Sequence, residues 1–166
     1  RFNLSVKGDK IIKKYNLKNN IVYLYVGRLT ARKRVHLLIE TFKSIKEKVP
    51  NAKLLIVGNP TFRRYYNKIK KMADDDVIFT GMVDYKDLPS YYAACNFYVT
   101  ASAWECSDLP TQEAQACGKP VIAFNIGAHT EFVKNGKLVK DNDTAGFVNA
   151  MIKLSKSVIR SKRQFI

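Results

Sequence analysis

Acidic residues are scarce in the first 71 positions, where three Asp and Glu stand against 19 Lys and Arg, a balance of +16. The remainder holds 10 basic and 11 acidic residues, or −1, so the basic character belongs to the N-terminal half. That half is suited to an anionic ligand or an anionic membrane surface, if it is not simply a solvated lysine-rich face. The basic runs carry no RNP-like or helix-turn-helix pattern, which ranks nucleic acid behind both and leaves it out of the expected partners. No apolar run approaches the ~20 residues that span a bilayer, and the N-terminus lacks an apolar signal segment. The expectation is a cytoplasmic location, at most peripheral at the inner face of the cell membrane. Cysteine is limited to Cys95, Cys106 and Cys117, an odd number without CxxC spacing or histidine company. This argues against a disulfide framework and against zinc, so no metal site is expected. Cys95 and Cys117 should pack as small hydrophobes, and Cys106 should lie in a functional loop without acting as a nucleophile. No strand is followed by GxGxxG and no P-loop occurs, so the dinucleotide fingerprint is missing.

What the chain does have is alternation. At 166 residues and 46% hydrophobic content it is sized for one globular domain, residues 1–166, with ends that look cut from something longer. A short amphipathic helix is expected in residues 1–20, with Asp9 as its cap. Ile21–Val26 is a continuous β-branched and aromatic run ending at Gly27, the pattern of a strand buried on both faces. Val35, Leu38, Phe42, Ile45 and Val49 then recur at helical spacing up to Pro50. Lys53–Val57 before Gly58 repeats the strand-then-glycine pattern, and Tyr65, Ile69 and Met72 mark a helix over 62–73. Further strands are predicted at Val77–Gly81, Phe97–Thr100 and Val121–Phe124, and a weak one at Lys137–Val139. Leu88–Ala94 reads as a short helix, Thr144–Ser155 as a closing helix, and the tail to Ile166 is basic. The fold class is therefore α/β, a doubly wound, open parallel sheet of Rossmann-like type, with ligands at the carboxyl ends of the strands.

The segment Trp104–Pro120 places two carboxylates either side of a helix start. Ser107 or Asp108 can cap that helix, Pro110 suits its first turn and Gly118 its end. Amides around 106–111 should then point outward unpaired, a ready anion site. Glu105 lies in the loop before the helix and Glu113 on its first turn. Carboxylates accept from hydroxyls and amides donate to phosphate oxygens, so the pattern suits a ligand with both hydroxyls and phosphate, and a nucleotide sugar is such a ligand.

Taken in order, several motifs resemble the C-terminal, donor-binding domain of a GT-B glycosyltransferase, of the retaining group that includes glycogen synthase and bacterial and archaeal mannosyl- and glucosyltransferases. They are Val26-Gly27-Arg28-Leu29 with Lys33, Leu55 to Pro60, Phe79 to Val83, Leu88 to Tyr92 before Cys95-Asn96-Phe97, the glutamate pair Glu105 and Glu113, Ala116 to Ile122, and Gly127 to Glu131. The resemblance covers nearly the whole chain.

It implies that Arg28 and Lys33 hold the donor diphosphate in place of a metal, acting as cationic partners to the helix-start amides and Glu113. Arg32 and Arg34 nearby are read as solvated, and Arg34 stands where the family has glycine. Glu113 would accept from the ribose hydroxyls and Glu105 would lie near the donor sugar, making Arg28, Lys33 and Glu105 the catalytic set. Gly27, Gly58, Met82, Val83, Cys106, Ser107, Asp108, Leu109, Pro110 and Glu113 would bind the nucleotide sugar, with Met82 and Val83 near the base. Cys106-Ser107-Asp108 departs from the family's glycine-containing loop, and Asp108 puts a further negative charge near the expected phosphate. It must either turn away as the cap or displace the donor. His129 has no acid at a spacing that marks a dyad, so it is read as structural or as a neighbour of the donor phosphate. The connection after Gly127 is shorter than the family's.

The implied activity is retaining, metal-independent transfer of a hexose from a nucleoside diphosphate sugar to a glycan or lipid-linked acceptor. No cofactor is implied, since the nucleotide sugar is the donor substrate. The acceptor site would belong to an N-terminal domain of the same enzyme, absent from this chain, so the isolated domain should bind nucleotide yet turn over little. The alternatives are a sugar-nucleotide epimerase of the GT-B fold, and a non-catalytic basic module binding anionic lipid or RNA.

Overall fold

The structure is a computed structural model that describes residues 1–163; the last three residues of the basic tail lie outside the described residues. Six strands form one parallel sheet in the order β3-β2-β1-β4-β5-β6. They are β1 (Ile21–Val26), β2 (Ala52–Val57), β3 (Val77–Gly81), β4 (Phe97–Thr100), β5 (Val121–Phe124) and β6 (Gly136–Val139). The helices are α1 (Asp9–Lys14), α2 (Val35–Lys46), α3 (Arg63–Met72), α4 (Leu88–Ala94), α5 (Leu109–Ala116), α6 (Ala128–Phe132) and α7 (Thr144–Arg163).

Each strand feeds both faces because successive side chains alternate. Tyr23, Leu54, Ile56, Val99, Ile122 and Phe124 point into a core closed by α2, α3 and α7. Val22, Leu24, Leu55, Val57, Tyr98 and Val121 point into a second core closed by α1, α4 and α5. On α2, Val35, Leu38, Phe42 and Ile45 are all buried, as their spacing predicts, and each such burial contributes ~1.5–3 kcal/mol.

Several expected details differ. Gly8, not Asp9, occupies the N-cap of α1, where a Cβ would approach the Ala94 amide nitrogen to 2.5 Å. The closing helix runs to Arg163 rather than stopping near Ser155. Ser155 is instead a docking point: its hydroxyl is hydrogen-bonded to the buried Tyr23 phenol, which also donates to the Met151 carbonyl at 3.3 Å. The short connection before β6 is held by Gln115, whose amide oxygen accepts from the Lys134 and Asn135 amides at 2.7 and 2.9 Å. Among the described residues, no helix is long and apolar enough to cross a membrane.

Because every strand is parallel, the loops after β1, β2, β3, β4 and β5 meet at one edge. The strand order reverses between β1 and β4, the position where open sheets of this kind leave a crevice.

Candidate functional site at the β1–β4 crevice

The loop after β1 begins with a tight turn. Gly27 and Gly58 have φ of +155° and +148°, and a Cβ on Gly58 would come within 1.9 Å of the Gly27 carbonyl. Only glycine permits that approach of two backbones. Below the turn the buried Tyr25 donates its hydroxyl to the Arg28 carbonyl at 3.0 Å, and Tyr98 donates to the Val26 carbonyl at 3.3 Å. Burial, with Asp108 and Glu105 nearby, raises both phenols well above their ordinary pKa, so they act as neutral donors.

A single 3-10 turn, Ala31–Lys33, follows, and the Arg32 carbonyl accepts from the Ala103 amide at 2.9 Å. That bond draws the β1 loop to the β4 loop. A cavity of about 410 Å³ lies between them, lined by Gly27, Arg28, Arg32 and Lys33 from one side and by Trp104, Glu105, Cys106 and Ser107 from the other. Glu105 is buried and ion-paired with Lys33. Arg28 is exposed at the mouth, and the Arg32 guanidinium lies 5.8 Å from the centre of the exposed Trp104 ring. Arg32 therefore belongs to the cavity, where the sequence suggests only a solvated charge. Arg34, also expected to be solvated, is paired with Asp141 at 2.9 Å and sits in the left-handed region, φ +49°. A side chain in that region costs ~1 kcal/mol of backbone strain relative to glycine.

Asp108 is at the N-cap position of α5, yet neither it nor Ser107 makes a side-chain cap bond. The Asp108 carboxylate turns inward, is 2% exposed, and accepts from the Thr111 hydroxyl at 2.5 Å. Its second partner is the fully buried His129, with Nε2 to Oδ2 at 2.9 Å, so the histidine does have an acid partner, brought to it by the fold. The Thr111 and Gln112 amides return to the Asp108 carbonyl at 3.1 and 3.3 Å. Among the described residues, no backbone acceptor pairs with the amides of the 106–109 segment, a shorter run than the 106–111 expected. Leu109 is exposed, and Pro110 in the first turn has no N–H to offer.

Glu113 is the fifth residue of α5 and so begins its second turn rather than lying on the first. It does not meet Arg28 or Lys33. Its oxygens accept from Tyr85 at 3.1 Å and Tyr92 at 2.9 Å. Burial raises its pKa, opposed by these hydroxyls. Met82 and Val83 line another cavity, of about 270 Å³, with Lys10, Asp84 and Asp87. Met82 is joined to the Gly58-Asn59 loop by the Asn59 side-chain amide, 3.4 Å from the Met82 sulfur. Cys106 is exposed, while Cys95 and Cys117 are buried. Burial pushes the Cys95 thiol up to about 12, leaving it inert.

The crevice of the parallel sheet therefore combines cations, a glycine turn, the loop before α5 and the ion-paired Glu105, while Glu113 is held by two phenols farther along α5. The chain matches the family described as "Glycosyl transferases group 1" over residues 8–165, and it belongs to that family. Its fold is that of a GT-B glycosyltransferase domain. A putative glycosyltransferase, YtcC, of Bacillus subtilis (strain 168) is 33% identical over 132 residues, 74% of this chain and 32% of that protein. Anabaena HepE, solved with UDP and glucose, superposes with a TM-score of 0.77 at 27% identity, over 86% of this chain and 40% of that one. The C-terminal domain of the group 1 glycosyl transferase LpcC of Francisella tularensis superposes with a TM-score of 0.78 at 25% identity, over 93% and 85% of the two chains. The chain spans about a third of the length of the curated relatives it matches.

Proposed function

We propose that this chain is the donor-binding domain of a glycosyltransferase. It binds a nucleoside diphosphate sugar for transfer of a hexose, with retention of configuration, to a glycan or lipid-linked acceptor held by an N-terminal domain. The observation that carries this reading is the cationic cavity between β1 and β4, where Arg28 and Lys33 stand opposite Glu105 and the open amides before α5. Negative charge grows on the diphosphate as the sugar leaves. In this reading the Arg28 guanidinium at the mouth and the Lys33 ammonium, fixed by Glu105, stabilise that charge in place of a metal ion.

Retaining transfer often runs through a carboxylate nucleophile. Glu105 is buried and committed to Lys33, which suits a positioning role better than attack on the sugar. Departure and attack on one face of the sugar, through a short-lived ion pair, is the mechanism that these residues serve. In this reading Glu113 accepts from the ribose hydroxyls and the Gly58, Met82 and Val83 loops border the base; the support is that Glu113 is held by Tyr85 and Tyr92 and that Asn59 joins the Gly58 loop to Met82.

The test is a thermal-shift series with UDP, GDP and ADP on this chain. One of the three, at about 100 times its Kd, should stabilise by about 2.7 kcal/mol, a rise of roughly 5–10 °C in Tm. Failure of all three, together with salt-sensitive binding to anionic vesicles or RNA, would favour a non-catalytic basic module. An epimerised product from the nucleotide sugar would favour the epimerase reading, and robust transfer by this chain alone would overturn the assignment of the acceptor site to another domain.

A further inference from the structure

We propose that His129 is a positioning residue of the donor site, acting through Asp108. It holds the Asp108 carboxylate inside the protein and cancels its charge, so that a bound diphosphate meets the amides before α5 and no free carboxylate. The inference rests on the donor-binding reading above.

The hydrogen-bond chemistry of the pair leaves little choice of state. His129 Nδ1 lies 2.9 Å from the Phe124 carbonyl, which can only accept, so Nδ1 carries a proton. Nε2 lies 2.9 Å from Asp108 Oδ2, an oxygen that also receives the Thr111 hydroxyl. A bare ring nitrogen facing a bare carboxylate would repel it, so one further proton is shared between them. Whichever atom holds that proton, the pair as a whole is neutral. The described groups that feel the Asp108 carboxylate include Tyr25, Tyr92, Tyr98 and Glu113, and none of these four is a cation.

The backbone makes the same connection. The Ala128 amide donates to the Glu105 carbonyl at 3.1 Å, and a Cβ on Gly127, φ +41°, would come within 2.5 Å of that oxygen. The Gly127 loop is thus fastened to the donor loop at Glu105 by main chain and at Asp108 by His129. An aspartate at an N-cap normally accepts from the helix amides, which would leave its charge where an anion binds. Here His129 and Thr111 together draw it inward, which explains how a glycine-free loop can serve an anionic ligand.

The experiment measures the Kd of the best-binding of UDP, GDP and ADP by calorimetry in the unaltered chain and in three variants. His129→Ala frees the charge of Asp108 and should weaken diphosphate binding about tenfold or more. Asp108 is not among the residues that line the cavity, and Asp108→Asn removes its charge while its amide N–H donates to the unprotonated Nε2 of a neutral His129, so it should bind within about threefold of the unaltered chain. The double variant should recover most of the lost affinity, a rescue that a purely structural histidine would not give. An unchanged Kd in His129→Ala, a loss that Asp108→Asn does not repair, or a tenfold loss in Asp108→Asn alone overturns the proposal. If His129→Ala does not melt cooperatively, His129→Gln takes its place, singly and with Asp108→Asn, under the same criteria. An unaltered chain that binds none of the three nucleotides defeats the donor-binding reading itself, a result visible before any variant is made.

Discussion

Both oxygens of Glu113 accept phenol hydroxyls, and burial still raises its pKa above the ordinary carboxylate value. The folded chain therefore holds the Glu113 proton more tightly than the unfolded chain does. Ionised Glu113 works against folding, and stability falls as pH rises from the ordinary carboxylate value through the raised one. Glu113→Gln removes the charge while leaving an oxygen for the tyrosines. It should raise Tm at pH 7, with the gain fading toward about pH 3, where glutamate is protonated in both states, and it should weaken nucleotide binding about tenfold or more. Melts of both proteins at the two pH values, with a nucleotide titration at pH 7, check this; a lowered Tm at pH 7 would show that the charge supports the fold. The sequence marks this glutamate as a candidate, because its spacing from Glu105 is local. Its partners were not: Tyr92 is 21 residues away and Tyr85 28, on or before another helix. His129 and Asp108 are likewise 21 residues apart, joined only when the β5 loop folds over α5. No spacing rule marks such pairs.

Strands and helices were easier to read than the joints between them. The β1 and β2 runs and the apolar face of α2 are repeating patterns that report burial directly, whereas a cap depends on what the neighbouring loop offers. Gly8 displaced Asp9 because α1 packs against the end of α4 with no room for a Cβ. Asp108 failed to cap α5 because His129 competes for it. The short link into β6 is a third joint of this kind. The single side chain of Gln115 on α5 accepts from the Lys134 and Asn135 amides and donates to the Phe132 carbonyl at 2.9 Å, fixing where β6 begins beside β5. Gln115→Ala leaves those backbone groups to water. Since they are partly exposed, the cost should be about 1–2 kcal/mol, roughly 3–6 °C in Tm. A melt unchanged within 1 °C, about the precision of the comparison at this scale, would mean that the turn holds itself.

The charge asymmetry acquires a meaning once the strand order is known. Residues 1–71, with their balance of +16, build α1, β1, α2, β2 and most of α3, while residues from 72 onward, at −1, build β3 to β6. The crevice between β1 and β4 lies where Arg28, Arg32 and Lys33 of the basic part face Glu105 of the other. In the proposed donor site, a ligand with an anionic end and a hydroxyl-bearing end would be oriented by that boundary, its phosphates toward the β1 cations and the amides before α5 and its hydroxyls toward Glu113. Such orientation is electrostatic and partly exposed, so salt must weaken it: the screening length shrinks from about 14 Å at 50 mM to about 4 Å at 500 mM. Over that range the Kd for the preferred nucleoside diphosphate should rise about three- to tenfold, while the parent nucleoside, measured by competition, should hardly change. Equal salt dependence for the two would place the recognition in the base-side loops around Met82. Loss of diphosphate binding with salt but not of nucleoside binding assigns the phosphates to the cations of the β1 loop.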